Sequence, residues 1–220
     1  MAFLPGRWSI VIPVKRLTVA KSRLALDAEL RAGVALAMAT DTVRAAVAAD
    51  PVALVVVVTD DEVAADSVTA AGALVTADVP AAGLNPALLH GAAEAARLAG
   101  GGPIAAISSD LPALQAADLA ALLDVASADP AAVVADAAGD GTTVLTSAAG
   151  RPLQPRFGPG SRAAHLLAGA VDRTVVAAPG LRRDVDTLAD LAAALRLGCG
   201  PHTQAVLARH PELLAATGAT

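Results

Sequence analysis

The sequence predicts an α/β fold with a mainly parallel central sheet covered by helices on both faces. Three observations lead to it. Short runs rich in Val and Ile alternate with longer helical patterns, the order from which parallel sheets are wound. The run Val52 to Val58 is apolar at every position, as suits a central strand buried on both faces. Hydrophobic residues make up 55% of the chain but include only two Phe, one Trp and no Tyr, so Ala, Val and Leu must build the core. At 220 residues the chain is long enough for a sizeable core, and one domain spanning 1–220 is expected.

The elements follow in order. Ser9 to Val14 is a β-branched run ended by Pro13-Val14-Lys15, a first strand feeding a basic loop. From Asp27 to Ala49 the pattern is helical, with Leu30, Val34, Leu36, Met38, Val43 and Val47 as its apolar stripe. Asp50-Pro51 ends that helix, and Val52 to Thr59 is the second strand. Asp60 is expected to cap a helix running to Ala71, with Gly72 turning the chain into a strand at Leu74 to Thr76. A loop over 78–85 precedes a helix with Pro86 in its first turn. Ile104 to Ile107 is a strand, followed by Ser108-Ser109-Asp110-Leu111-Pro112 and a helix from Ala117 to Ala126. Ala132 to Ala135 and Thr143 to Thr146 read as strands joined through Gly139-Asp140-Gly141, and a helix opens at Ser161 behind Phe157-Gly158-Pro159-Gly160. Val175 to Ala178 is the final strand expected, with helices at Thr187 to Leu197 and Gln204 to Ala216.

Composition narrows the function. A net charge of −5 argues against a nucleic-acid partner, whose phosphates require clustered cations. No apolar run approaches the about 20 residues that span a bilayer, so no membrane partner is expected. The opening MAFLPGRWSIVIPVKR lacks the order of a signal peptide, and a cytoplasmic location is expected. Cys199 is the single cysteine and reads as a structural thiol. His90, His165, His202 and His210 show no zinc spacing and read as structural or surface residues. The nucleophile elbow, the P-loop and the dinucleotide fingerprint are all missing from the sequence.

Ligands of doubly wound sheets bind beyond the carboxyl ends of the strands, so polar residues that follow strands are the candidates. The loop Pro13 to Arg23 places Lys15, Arg16, Lys21 and Arg23 within nine positions, and it holds both lysines of a chain whose other 14 basic residues are Arg. Such a loop can wrap a triphosphate, with Lys as a point charge and Arg23 forking across two oxygens; a solvated basic surface is the alternative. Asp110 at a strand end suits Mg²⁺, which takes carboxylate, phosphate and water oxygens, although it also suits a helix N-cap. Asp184 and Asp186 flank Val185 in an extended segment, which puts both carboxylates on one face, where a cation would relieve their repulsion. The alternative is that Asp186 or Thr187 caps the helix beyond, with Asp184 on the surface. Ser161 opens a helix whose N–H groups could receive a phosphate, and Thr142 could point into the same crevice; capping and turn roles remain open for both.

Together, Ile12-Pro13-Val14-Lys15-Arg16-Leu17, Ala20-Lys21-Ser22-Arg23-Leu24, Gly83-Leu84-Asn85, Asp110-Leu111-Pro112, Gly141-Thr142, Phe157-Gly158-Pro159-Gly160-Ser161 with His165, and Gly180 to Thr187 resemble one family. It is the phosphoenolpyruvate and 2-phospho-L-lactate guanylyltransferases of deazaflavin coenzyme F-420 biosynthesis, matched in order from about Trp8 to Gly198. The resemblance implies a Rossmann-like, three-layer nucleotide-diphospho-sugar transferase fold, a GTP substrate, Mg²⁺ as cofactor and a homodimer as an allowed assembly. It implies metal carboxylates at Asp110, Asp184 and Asp186, and contacts to the phosphorylated acid at Thr142, Gly158 and Ser161. Lys15, Lys21 and Arg23 would hold the triphosphate, and Asn85 with Ser109 would line the nucleotide pocket. Heavy Ala and Arg use suggests a high-GC genome, in which the family's usual acceptor is phosphoenolpyruvate. The alternatives are 2-phospho-L-lactate as acceptor, a nucleotidyltransferase for a sugar or molybdenum cofactor, and a non-catalytic GTP-binding module.

Overall fold

The computed structural model describes residues 7–21 and 23–216. The first half alternates strictly: β1 (Trp8–Pro13), α1 (Ala28–Ala48), β2 (Val52–Val58), α2 (Glu62–Ala70), β3 (Leu74–Thr76), α3 (Leu84–Ala99), β4 (Ile104–Ile107) and α4 (Ala116–Ala126). The second half adds β5 (Ala132–Ala135), β6 (Thr142–Ser147), α5 (Ser161–Leu167), β7 (Val171–Asp172), a 3₁₀ turn at Pro179–Leu181, and helices α6 (Leu188–Leu197), α7 (Pro201–Arg209) and α8 (Pro211–Ala216).

The strands form one sheet in the order β3-β2-β1-β4-β6-β5-β7. Every neighbouring pair is parallel except the two that involve β6, which runs against β4 and β5. The chain moves outward from β1 to β2 and β3, then crosses back to place β4 on the other side of β1. That reversal lies between β1 and β4, so the loops leaving these two strands open together into the crevice where α/β sheets bind ligands.

Alternation along β1 sends Ile10 and Ile12 to one face of the sheet and Val11 to the other. The first face packs with Val43 and Ala46 of α1 and Leu119, Leu122 and Leu123 of α4; the second takes Ala87, Leu88 and Ala95 of α3. Gly91 sets how closely α3 approaches, since a Cβ there would stand 2.5 Å from Val11 and 2.6 Å from Val58. A third cluster joins Val34 and Met38 of α1 to Val185, Leu191 and Leu207.

Several elements depart from the sequence expectations for local reasons. α1 is buried nearly all round from Val34 to Val43, because the sheet covers one side and α7 the other, whereas Val47 is 37% exposed. The cap of α2 is Asp61 rather than Asp60: its carboxylate accepts from Ala64 N–H (3.0 Å) and from Leu17 N–H (2.9 Å), which ties the basic loop to this helix. Residues 175–178 form no strand, and Val175 is 96% exposed. The last strand lies earlier, at β7, and buried Thr174 closes it by accepting from Ala135 N–H (3.0 Å). The expected C-terminal helix is two helices, because Pro211 has no N–H with which to continue the ladder. Its first piece starts at Pro201, where the Asp41 carboxylate of α1 accepts from His202 N–H (3.0 Å) and Thr203 N–H (2.8 Å). Among the described residues no helix is long and apolar enough to cross a membrane.

Candidate functional site

A cavity of about 500 Å³ opens at the carboxyl ends of β1 and β4. Its walls include Lys15, Lys21 and Arg23 from the basic loop, Ser109 and Asp110 from the loop after β4, and Gly158 and Asp186 from later loops. Seven of the eleven predicted site residues therefore share one space, although they come from four separate stretches of chain. Leu84 and Leu88 of α3, with Ala35 and Ala39 of α1, give it an apolar side.

Lys21 is the electrostatic centre of this space. Its ammonium donates to the carboxylates of Asp110 and Asp186, the latter at 2.7 Å, and its side chain is only 13% exposed. Burial alone would lower the lysine's pKa, but the two carboxylates outweigh it, and the net shift is upward. Lys21 thus remains charged. Its backbone lies at φ +53°, a left-handed conformation that a non-glycine residue adopts only where its surroundings impose it. Arg23 adds a cation 3.6 Å from Asp186.

The acidic side is assembled by backbone contacts. Thr42 in α1 pins the Ser109-Asp110-Leu111 turn: its hydroxyl oxygen lies 3.3 Å from Ser109 C=O and accepts from Leu111 N–H at 3.1 Å. Asp110 C=O accepts from Val185 N–H (3.1 Å), which lays the Asp184-Val185-Asp186 segment alongside. Val185 is fully buried, and Asp184 and Asp186 on either side of it are partly buried; Asp186 lines the cavity and Asp184 does not. The two then diverge. Asp184 is pushed up to about 7 by burial and by the negative charges of Asp110, Asp136 and Asp186. For Asp186 burial also acts upward, but the Lys21 hydrogen bond and the charges of Lys21, Arg23 and Lys15 bring it below its ordinary value.

Asp110, Asp184 and Asp186 offer hard oxygen donors of the kind that could hold Mg²⁺. Asp184 is destabilised as an anion by burial first and then by three neighbouring carboxylates, and a divalent cation would relieve the second of these. Among the described residues no three carboxylate, imidazole or thiol groups already converge on one point, and Lys21 is what bridges Asp110 to Asp186.

A second set of residues lies around Thr142 and Ser161, whose hydroxyl oxygens are 3.1 Å apart and buried. Next to them His165, 1% exposed, contacts Thr142 Oγ1 through Nδ1 (3.0 Å) and accepts Arg156 N–H at Nε2 (2.8 Å). Gly158, at φ +137°, holds a conformation closed to other residues without strain, and it links this set to the main cavity. Asn85 stands in the first turn of α3 instead of the preceding loop. Its amide accepts from Phe157 N–H (2.8 Å) and donates to Phe157 C=O (3.1 Å), so it fixes the Phe157-Gly158 turn.

Three residues here escape a reading of the sequence. Asp136 accepts from the N–H groups of Gly139, Asp140 and Gly141 and so shapes the loop before Thr142; its place directly after a strand, like that of Asp110, was the available signal. His165 is a buried structural residue rather than a surface one, and its spacing of four from Ser161 on one helix face pointed to its contact with Thr142. Thr42, inside a long helix, carries no such signal. Cys199 is a buried thiol pushed up to about 12, mainly by burial, and it acts as a structural residue.

The sequence model of the family described as guanylyl transferase CofC-like matches residues 8–209. A phosphoenolpyruvate guanylyltransferase from Thermomonospora curvata is 50% identical over 205 residues, covering 93% of this chain and 90% of the relative. Another from Streptomyces coelicolor is 52% identical over 205 residues, covering 92% and 97%. Among solved structures, a nucleotidyl transferase from Methanothermobacter superposes with a TM-score of 0.59 at 18% identity, covering 93% of this chain and 99% of the other. That likeness extends to the fold.

Proposed function

The chain belongs to the CofC-like guanylyl transferase family, and we propose that it transfers the guanylyl group of GTP to the phosphate of phosphoenolpyruvate. The products are enolpyruvyl-diphospho-guanosine and pyrophosphate, a step in the assembly of deazaflavin coenzyme F-420 in the cytoplasm. The observation that carries this reading is Lys21 held between Asp110 and Asp186 in the wall of the strand-crossing cavity, which Lys15 and Arg23 also line. A cavity of about 500 Å³ is of a size that accepts a nucleotide.

In this reading Lys15, Lys21 and Arg23 hold the triphosphate, and Ser109 lines the nucleotide pocket. Asn85 serves it indirectly by fixing the Phe157-Gly158 turn. Asp110, Asp184 and Asp186 are the residues that would hold Mg²⁺, which when bound neutralises phosphate oxygens around the reacting phosphorus. Thr142, Gly158 and Ser161 orient the acid. An oxygen of its phosphate attacks the α-phosphorus of GTP, a new P–O bond forms, and the bond to the bridging oxygen of the β-phosphate breaks, the electron pair leaving with pyrophosphate. The attacking phosphate is already ionised at neutral pH, so no general base is required. The chain's contribution is positioning and charge neutralisation, which is consistent with a cavity wall rich in Lys, Arg and Asp.

Pyrophosphate release measured across GTP, ATP, CTP and UTP, each with phosphoenolpyruvate, 2-phospho-L-lactate and sugar phosphates, tests the proposal. GTP with phosphoenolpyruvate should give the highest kcat/KM. Turnover confined to sugar phosphates, or GTP binding without product, would refute it, and a preference for phospholactate would correct the acceptor.

A further inference from the structure

The hydrogen bonds around His165 determine which hydroxyl of the Thr142 and Ser161 pair has a hydrogen to give. Arg156 N–H lies 2.8 Å from Nε2 of His165, and a backbone N–H can only donate, so Nε2 is the acceptor and carries no proton. In a neutral imidazole the proton then sits on Nδ1. Nδ1 lies 3.0 Å from Thr142 Oγ1, and the ring donates to that oxygen. Ser161 donates its own hydroxyl hydrogen to the same oxygen across 3.1 Å. Thr142 Oγ1 therefore accepts twice, which occupies both its lone pairs, and its own hydrogen is left for another partner.

Packing adds to the two hydrogen bonds that orient the ring. It is 1% exposed, and Phe157 packs edge-on with ring centroids 5.4 Å apart and planes at 73°. An imidazolium would turn a hydrogen at Nε2 against Arg156 N–H. Burial first and the Arg156 charge second keep the ring neutral against a smaller opposing pull from the Ser161 backbone, and its pKa falls to about 4.

We propose that His165 is a positioning residue that, as the Nδ1–H tautomer, turns the Thr142 hydroxyl into an obligate donor toward an anionic oxygen of the acceptor substrate. The inference rests on reading Thr142, Gly158 and Ser161 as the acceptor site. It makes Thr142, with its unused hydrogen, the hydroxyl that recognises the acid, and Ser161 a support for it.

Two measurements test it. Imidazole ¹⁵N NMR of the ligand-free wild-type protein should show a protonated Nδ1 and an unprotonated Nε2 at His165; a proton on Nε2 overturns the proposal without any assay of activity. Steady-state kinetics then compare two variants. His165→Gln keeps an acceptor near the Nε2 position and loses the donor to Thr142, so the KM for the acid should rise roughly five- to tenfold while that for GTP stays within about twofold. His165→Asn keeps a donor near Nδ1 and should hold the acid KM within about threefold of wild type. Equal acid KM values in wild type and both variants would overturn the proposal. Wild-type protein that turns over no phosphorylated acid overturns the acceptor assignment and the role of His165 with it, while the NMR result still shows whether the hydrogen-bond chain is correct.

Discussion

Replacing Lys21 by Met removes the one ammonium that separates Asp110 from Asp186 while keeping a stem of similar length. Two charged hydrogen bonds are lost, each worth about 1.5–3 kcal/mol in a dry site. Solvent screens much of this, because the Asp186 side chain is 45% exposed and that of Asp110 18%. The net loss should be about 2 kcal/mol, which for a chain of this length corresponds to a fall in Tm of about 4–8 °C. Turnover should fall by about 10²–10³, the usual effect of removing one group aimed at developing charge. Lys21→Arg separates the two consequences. It restores charge between the carboxylates and recovers most of the stability, but its planar fork does not reproduce a compact ammonium and activity stays low. Differential scanning calorimetry and a pyrophosphate assay on the three proteins measure both. A Met variant with wild-type turnover would refute the assignment of Lys21 to the triphosphate, and an unchanged Tm would refute the account of its ion pairs.

Further predictions concern other parts of the molecule. Asp41 is 4% exposed and accepts from two N–H groups that open α7, so Asp41→Asn should cost about 2 kcal/mol in urea denaturation with kcat unchanged. His165 has a folded pKa of about 4, below its ordinary 6.5; the unfolded chain binds the extra proton between these values, so stability falls as pH drops from 6.5 towards 4, by at most about 3 kcal/mol. His165→Gln should flatten that slope, and parallel slopes in urea titrations at several pH values would contradict it. Cys199 is buried, with its thiol pushed up to about 12, and it should resist a thiol reagent at pH 8 until denaturant is added; stoichiometric labelling of the native protein would contradict this.

How far the sequence reveals the molecule depends on whether a feature is local. The strands at Leu74–Thr76, Ile104–Ile107 and Ala132–Ala135 are legible residue for residue, because continuous apolar runs between turn signals need no distant partner to be recognised. The basic loop, Asp110 and the pair Asp184 and Asp186 are visible for a similar reason: strand ends and i, i+2 spacing are local facts. What stays hidden depends on distant contacts. β7 has two residues and so no periodicity, and it exists because Ala132 and Val133 offer it an edge. The start of α7 is set by Asp41, 161 positions away from His202 in the chain. The hold of Asn85 on the Phe157-Gly158 turn is hidden until Phe157, 72 positions on, engages its amide. His165 follows the same rule, since its role is defined by the N–H of Arg156 and the hydroxyl of Thr142, which only the folded chain brings to opposite sides of the ring.

The most direct test of the account is the identity of the bond formed. Phosphorus-31 NMR of a reaction containing the protein, GTP, phosphoenolpyruvate and Mg²⁺ should show free pyrophosphate and, in equal amount, the coupled pair of signals of an unsymmetrical diphosphate joining guanosine to the enolpyruvyl group. GTP that stays intact, or that is hydrolysed with the phosphoenolpyruvate signal unchanged, would contradict it.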